Sequence, residues 1–196
     1  MKKYLLVAAL VLSVVAADAR DYKHSIGINA GSLNGITYKG YVRDNEHFVF
    51  QFDANVHIGY ASKGVTWLTD KDGKASKAYD SDAFGFYALV VNPNLMYQGN
   101  CGDWNWATMH WFIGGGIDLG WEWEQRTSLG SYKSDWLKFN EHVLTGIEFD
   151  LKAVPLNIGL DLRPGLGEKF YIFDNGTIST MLFFDWAVNL SLRYRI

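Results

Sequence analysis

Strict alternation of apolar and polar residues, repeated along most of the chain, is the feature that most limits what this sequence can become. Between His47 and Tyr60, the residues Phe48, Phe50, Phe52, Ala54, Val56, Ile58 and Tyr60 are separated by Val49, Gln51, Asp53, Asn55, His57 and Gly59. A period of two places the first set on one face of a β-strand and the second on the other. One face is oily and the other, Val49 apart, is polar or small. The question is which solvent each face meets.

The pattern recurs over His24–Gly31, Gly35–Val42, His110–Glu124, Glu141–Leu151 and Leu156–Arg163, and again from Leu182 to Ile196. An eighth segment is predicted within Phe84–Tyr97, where alternation is poor and Pro93 interrupts the run, as proline does in a strand ladder. From the third strand onward the connections alternate in length. Arg43–Glu46, Gln98–Asn105 and Lys152–Pro155 are short, whereas Ala61–Ala83, Gln125–Leu137 and Pro164–Ser179 are longer. The polar stretch 69–82 reads as a solvated loop. These features predict an all-β chain: an eight-stranded antiparallel up-and-down barrel, one domain over residues 20–196, with short turns at one end and longer loops at the other.

Composition decides the facing. A water-facing strand surface is usually rich in Lys and Glu, but here the polar faces carry mostly Gly, Asn, Ser and Asp. Small residues with a few charges suit the inside of an eight-stranded barrel, which is just wide enough for side chains. The expectation is an inner polar network of Lys39, Asp53, His57, Asp118, Glu148, Asp150, Asp161, Arg163, Asp185, Arg193 and Arg195. The apolar faces then meet lipid, with Trp111, Trp121, Trp123, Trp186 and Tyr194 as a girdle at headgroup level. A lipid-facing Arg or Lys costs about 2–4 kcal/mol at the bilayer midplane, so Ile147→Arg is expected to impair assembly and Gly146→Ser to be milder. Closure is required because an open strand edge in hydrocarbon leaves backbone groups unsatisfied. The alternative is a secreted lipocalin-like barrel with its apolar face inside; Gly102-Asp103-Trp104 matches that family's Gly-x-Trp only over three residues in mid-chain.

Lys2 and Lys3, the apolar run Leu5–Ala16 and the small residues of Ala17-Asp18-Ala19 read as a secretory signal peptide over residues 1–19. Cys101 is the single cysteine, which excludes an intramolecular disulfide and a thiol-pair metal site. The formal net charge of −3, with no basic aromatic patch, gives no reason to expect a nucleic-acid partner.

Chemistry is sparse. The histidines are His24, His47, His57, His110 and His142, and none stands two residues from a serine. Ser76, Asp80, Ser81 and Asp82 offer hydroxyls and acids in a loop without a histidine. His110 and His142 read as rim positions at strand starts. No catalytic, cofactor-binding or metal-binding residue is assigned. Phe170–Phe173 either extends barrel strands or presents a free edge for strand addition, and Asp174-Asn175-Gly176 reads as a turn.

The final strand WAVNLSLRYRI (186–196), with the stretches HSIGINAGSLNGITYKGYV, HWFIGGGIDLGW and PLNIGLDLRPGLG, resembles the small outer-membrane β-barrels of Gram-negative bacteria of the OmpX and OmpA-transmembrane-domain type. The resemblance spans the mature chain. It implies an integral outer-membrane protein with termini and short turns in the periplasm and longer loops outside. It also implies an assembly signal at Leu192, Tyr194 and Ile196, read by the barrel-assembly machinery; Ile196 stands where the family usually has Phe or Trp. The implied role is non-enzymatic, structural or surface-interactive through the outer loops. Outer-membrane lipids and an extracellular protein or surface are the partners, and the chain is a monomer. A lipid-modifying enzyme and a small porin-like pore are the alternatives.

Overall fold

The computed structural model describes residues 23–42, 47–61, 64–69, 72–81, 84–127, 130–132, 136–172 and 178–196. The predicted signal peptide, the turn at 43–46, Asp82 and the turn at 174–176 lie outside the described residues.

Among the described residues eleven strands follow one another: β1 (His24–Gly31), β2 (Leu33–Tyr41), β3 (Phe48–Ala61), β4 (Gly64–Thr69), β5 (Ala75–Ser81), β6 (Phe84–Asp103), β7 (Ala107–Thr127), β8 (Gly130–Tyr132), β9 (Trp136–Leu151), β10 (Leu156–Ile172) and β11 (Ile178–Arg195). Eight of them close an antiparallel ring in the order β1-β2-β3-β6-β7-β9-β10-β11, and β11 pairs back onto β1. The ends meet in a reciprocal pair of backbone hydrogen bonds, His24 N to Ile196 O at 3.1 Å and Ile196 N to His24 O at 2.8 Å.

The register gives the barrel its shape. Following direct partners from Ile28 leads through Ile36, Ala54, Val91, Leu119, Phe139 and Glu168 to Leu182. Yet the residue that pairs with Ile28 itself is Leu192, ten positions further on. With ~3.3 Å per residue and ~4.7 Å between strands, that stagger tilts the strands by about 40° and sets a backbone radius of about 8 Å.

The strands run longer than the sequence pattern showed, and the long connections are partly strand. The long connection Ala61–Ala83 contains β4 and β5, a hairpin paired to the start of β11 from Ile178 to Phe183, so β5 falls within the stretch read as a solvated loop. β10 continues past Arg163 to Ile172, because the alternation persists there in disguise: Gly165, Gly167 and Lys169 stay buried in phase with Arg163. Phe170–Ile172 is paired with β11, and Phe170 also with Leu137 on β9, so of the two readings the strand extension holds over the described residues.

Pro93 sits inside β6 after all. It is opposite Phe52 on β3, while the β6–β7 register breaks off at Val91–Leu119 and resumes in phase at Asn94–Gly116. Proline forfeits ladder bonding on one side only. The poor alternation of β6 has a second cause: Ala88 and Val90 on its inner face are themselves apolar and buried.

The β1–β2 connection is the tightest of the ring. Gly31 has φ of 139°, a conformation that L side chains resist. Asn34 clamps it, accepting from Gly31 N at 3.2 Å and donating to Gly31 O at 2.7 Å.

Phe48, Phe50 and Phe52 are 46, 39 and 40% exposed, while Asp53 is fully buried. The apolar faces therefore point outward around the ring, which excludes the lipocalin-like arrangement. Trp111 and Tyr194 lie toward the end that carries the termini, and Trp121 and Trp123 toward the other. Ten residues of β7 separate Trp111 from Trp121, or roughly 25 Å along the axis at the estimated tilt. Trp186 is exposed on the same outer face, between these two levels.

Candidate functional site

The inner face of the ring is the only place where many charged side chains converge among the described residues. They are arranged in tiers along the axis. Nearest the termini, Lys39 donates to Glu148 Oε1 at 2.5 Å and to Gln98 Oε1 at 2.6 Å. Arg193 donates to Glu148 Oε2 at 3.0 Å, to Gln51 at 3.1 Å and to Asn157 at 3.1 Å. One carboxylate thus meets two cations from different strands, one on each oxygen. Val49, Met96, Phe112 and Leu144 pack at this level, with half-buried Tyr41 against them.

The next tier centres on Arg163. It donates to both oxygens of Asp161 at 2.9 and 3.2 Å, and its Nη1 lies 2.9 Å from Asp53 Oδ2. Asn189 donates to Asp161 at 2.8 Å, and Gln51 to both Asp53 oxygens at 3.1 and 3.0 Å. Above it Asp118 accepts from Asn92 and Asn140, and His142 Nδ1 stands 3.0 Å from the same carboxylate.

The tier beyond holds Lys138, which donates to Asp185 Oδ2 at 2.9 Å and faces His57 Nδ1 at 3.1 Å. Last comes Lys169, 2.6 Å from Glu122 Oε1. The ammoniums of Lys138 and Lys169 lie 3.8 and 4.7 Å from the centre of the Phe86 ring, and 5.4 and 4.8 Å from that of Phe183, at cation–π range. Leu33, Trp136, Met181 and Ala187 complete this apolar tier.

Of the residues expected in the network, Lys39, Asp53, His57, Asp118, Glu148, Asp161, Arg163, Asp185 and Arg193 are buried on the inner face. Asp150 and Arg195 are half-buried at the terminal rim, 3.4 Å apart, with Arg195 also donating to Leu151 O at 2.6 Å. His142 is no rim residue: it lies within β9, buried between Asn94 and Asp118. His110 stays near the rim, 3.4 Å from Asp150.

Lys138, Asn140, Glu122 and Lys169 join the inner network beyond the residues expected there, and His142 joins it instead of the rim. Lys138, Asn140 and His142 continue the buried phase of Gly146 and Glu148, and Lys169 that of Arg163, so extending the two-residue period into the presumed loops would have found them. Gly146 also has less room than the sequence suggests. A Cβ there would run into the Leu160 carbonyl oxygen and the Phe112 ring below contact distance, so this glycine is required for close strand packing.

His57, Asp118 and Asp185 each place one ligand atom within 4.8 Å of the other two. The Lys138 ammonium already supplies a cation to two of them, and its charge opposes a metal ion in the same space. Ser76 is exposed on β5, with no histidine joined to it by a described contact.

At the terminal end, the β6–β7 turn carries Trp104 and Trp106, stacked 6.3 Å apart, and Trp106 stacks on Phe149 at 5.9 Å. Asp103 is fully exposed beside them; hydrogen bonds from Lys152 and then Thr108 hold its carboxyl below the ordinary carboxylate range. Cys101 is exposed in the same region.

No protein-family model matches the chain, and no curated protein matches it. Among solved structures it is similar to Ail, the attachment invasion locus protein of Yersinia pestis. The identity is 10% over 87% of this chain and 96% of that one, with a TM-score of 0.27. A second structure of Ail, in complex with the heparin analogue sucrose octasulfate, gives the same identity and coverage with a TM-score of 0.29.

Proposed function

We propose that this chain is an integral outer-membrane β-barrel of a Gram-negative bacterium, exported by the signal peptide at residues 1–19 and inserted as a monomer. The observation that carries the reading is the inversion of the ring. Leu95, Ile113, Leu160 and Leu190 are about half exposed outside, while the ion pairs of Arg163, Lys39 and Lys138 are buried inside. A ring of outward apolar side chains has no favourable surroundings in water but fits hydrocarbon, and closure satisfies the backbone there. The roughly 25 Å between Trp111 and Trp121 matches the height of the apolar band of such barrels.

In this reading the inner tiers are a packed polar lumen rather than an aqueous channel, and they hold the wall together. Tyr194 and Trp111 mark one headgroup level, Trp121 and Trp123 the other, and Trp186 faces the acyl chains between. Leu192, Tyr194 and Ile196 present the outward row of the last strand to the assembly machinery. The role is non-enzymatic: structural support of the envelope and contact with an external protein or surface through the loops at the end away from the termini.

The test is fractionation combined with heat-modifiable mobility on detergent gels. Recovery in outer-membrane fractions, with unheated and boiled samples migrating differently, supports the proposal. A soluble monomer in detergent-free buffer would overturn it.

A further inference from the structure

We infer that the interior carries a binding site for one ordered water molecule, between His57 on β3, Asp118 on β7 and Asp185 on β11. The first observation is a set of orphaned atoms. His57 Nε2, Asp185 Oδ1 and Asn140 Oδ1 are buried and have no hydrogen-bond partner among the described residues. Burying a polar atom unsatisfied is strongly unfavourable, and protein interiors meet such groups with a protein partner or an ordered water.

The same side chains are pinned through their other atoms. Lys138 Nζ faces His57 Nδ1 at 3.1 Å and donates to Asp185 Oδ2 at 2.9 Å. Asn140 Nδ2 donates to Asp118 Oδ2 at 3.0 Å. With these bonds in place, none of the three orphaned atoms can turn away to a partner elsewhere.

The second observation is spacing. His57 Nε2 stands 3.8 Å from Asp185 Oδ2, too far for a direct hydrogen bond. One ring nitrogen of His57 and one oxygen each of Asp118 and Asp185 lie within 4.8 Å of one another. A point equidistant from three atoms so spaced is about 2.8 Å from each, which is the hydrogen-bond distance of a water oxygen. Asn140 Oδ1 borders the same space: a Cβ on Gly165 would stand 2.8 Å from it, and Gly165 pairs directly with Asp185. A buried water needs two to four polar partners, and this place supplies them.

Charge selects water over a metal ion. The Lys138 ammonium already serves His57 and Asp185, and a neutral molecule adds no second positive charge beside it. Water also donates to carboxylate and amide oxygens, which a cation cannot do. The site is closed to bulk solvent: His57, Asp118, Lys138 and Asp185 are each at most 3% exposed. The Phe86 ring packs edge-on against His57 at 5.0 Å on one side, and Arg163 with Asp53 lies on the other. The water is therefore held in place rather than passing through. The inference concerns the interior, whichever solvent meets the outer face, so it stands or falls apart from the proposed location.

The test is a crystal structure of the full-length mature barrel in detergent, joined to oxygen-17 relaxation dispersion in micelles, which counts long-lived internal waters. The structure should show one peak about 2.6–3.2 Å from both His57 Nε2 and Asp185 Oδ1. His57→Phe removes the ring nitrogens and should lower the count of long-lived waters by one. Absence of the peak overturns the inference. So does a peak with anomalous scattering and contacts of about 2.1 Å, which would be a metal ion, and so does an unchanged count in His57→Phe.

Discussion

Arg163 on β10 reaches across the interior to Asp53 on β3, with Nη1 2.9 Å from Oδ2, and the two strands lie four places apart around the ring in either direction. Lys39 and Glu148 stand in the same relation, from β2 to β9. These spans tie opposite walls together, which neighbouring-strand hydrogen bonds cannot do. They also make the interior vulnerable, because each cation serves carboxylates that have no water to fall back on.

Arg163→Ala is therefore expected to destabilise the barrel by about 3–5 kcal/mol, the usual result of stranding a buried charge. Two carboxylates, Asp53 and Asp161, lose their cation at once. Urea unfolding in detergent micelles measures it. Adding Asp53→Asn and Asp161→Asn should restore part of the loss, and a single variant as stable as the parent would show that the pairs contribute nothing.

Gly167 is expected to tolerate no side chain. A Cβ there would meet the Phe183 ring well inside contact distance. Gly167→Ala should cost about 1–3 kcal/mol, in the range of overpacking substitutions, and Phe183→Leu in the same chain should recover most of it. Failure of the second change to help would mean that the strain lies in the backbone rather than against that ring.

Stable open steps in a planar bilayer are not expected from the parent protein, because Phe86, Phe183, Trp136 and Met181 fill the tier around Lys169 and Glu122. Phe86→Ala combined with Phe183→Ala removes two rings from that tier and should raise the leak current. A parent chain that conducts in long, regular steps would contradict the proposed packed lumen.

The sequence made the eight ring strands and their facing legible because the two-residue period survives wherever residues are large. Trp111, Leu119 and Trp121 against Asp118 and Glu122 show it plainly. The period is obscured where the inner face is built from Gly165 and Gly167, or from apolar Ala88 and Val90, and those are the places where strand ends or quality were misjudged. The pairing of charges was harder to see. That Arg163 meets Asp53 depends on a stagger of ten residues round the ring, a quantity fixed by the closing register of Ile28 with Leu192 and by no local pattern. His142 was misplaced for the related reason that its strand begins earlier, at Trp136.

The facing of β11 tests the account most directly. In a Cys101→Ser background, single cysteines placed from Phe184 to Arg193 would carry a spin label in barrels reconstituted into lipid vesicles. Collision with dissolved oxygen, which concentrates in hydrocarbon, should be high at 184, 186, 188, 190 and 192 and low at the residues between them. A water-soluble nickel complex should reach none of the even positions near the middle of the strand. High nickel access along the row from Trp186 to Leu192 would contradict the account, because those side chains would then be facing water instead of lipid.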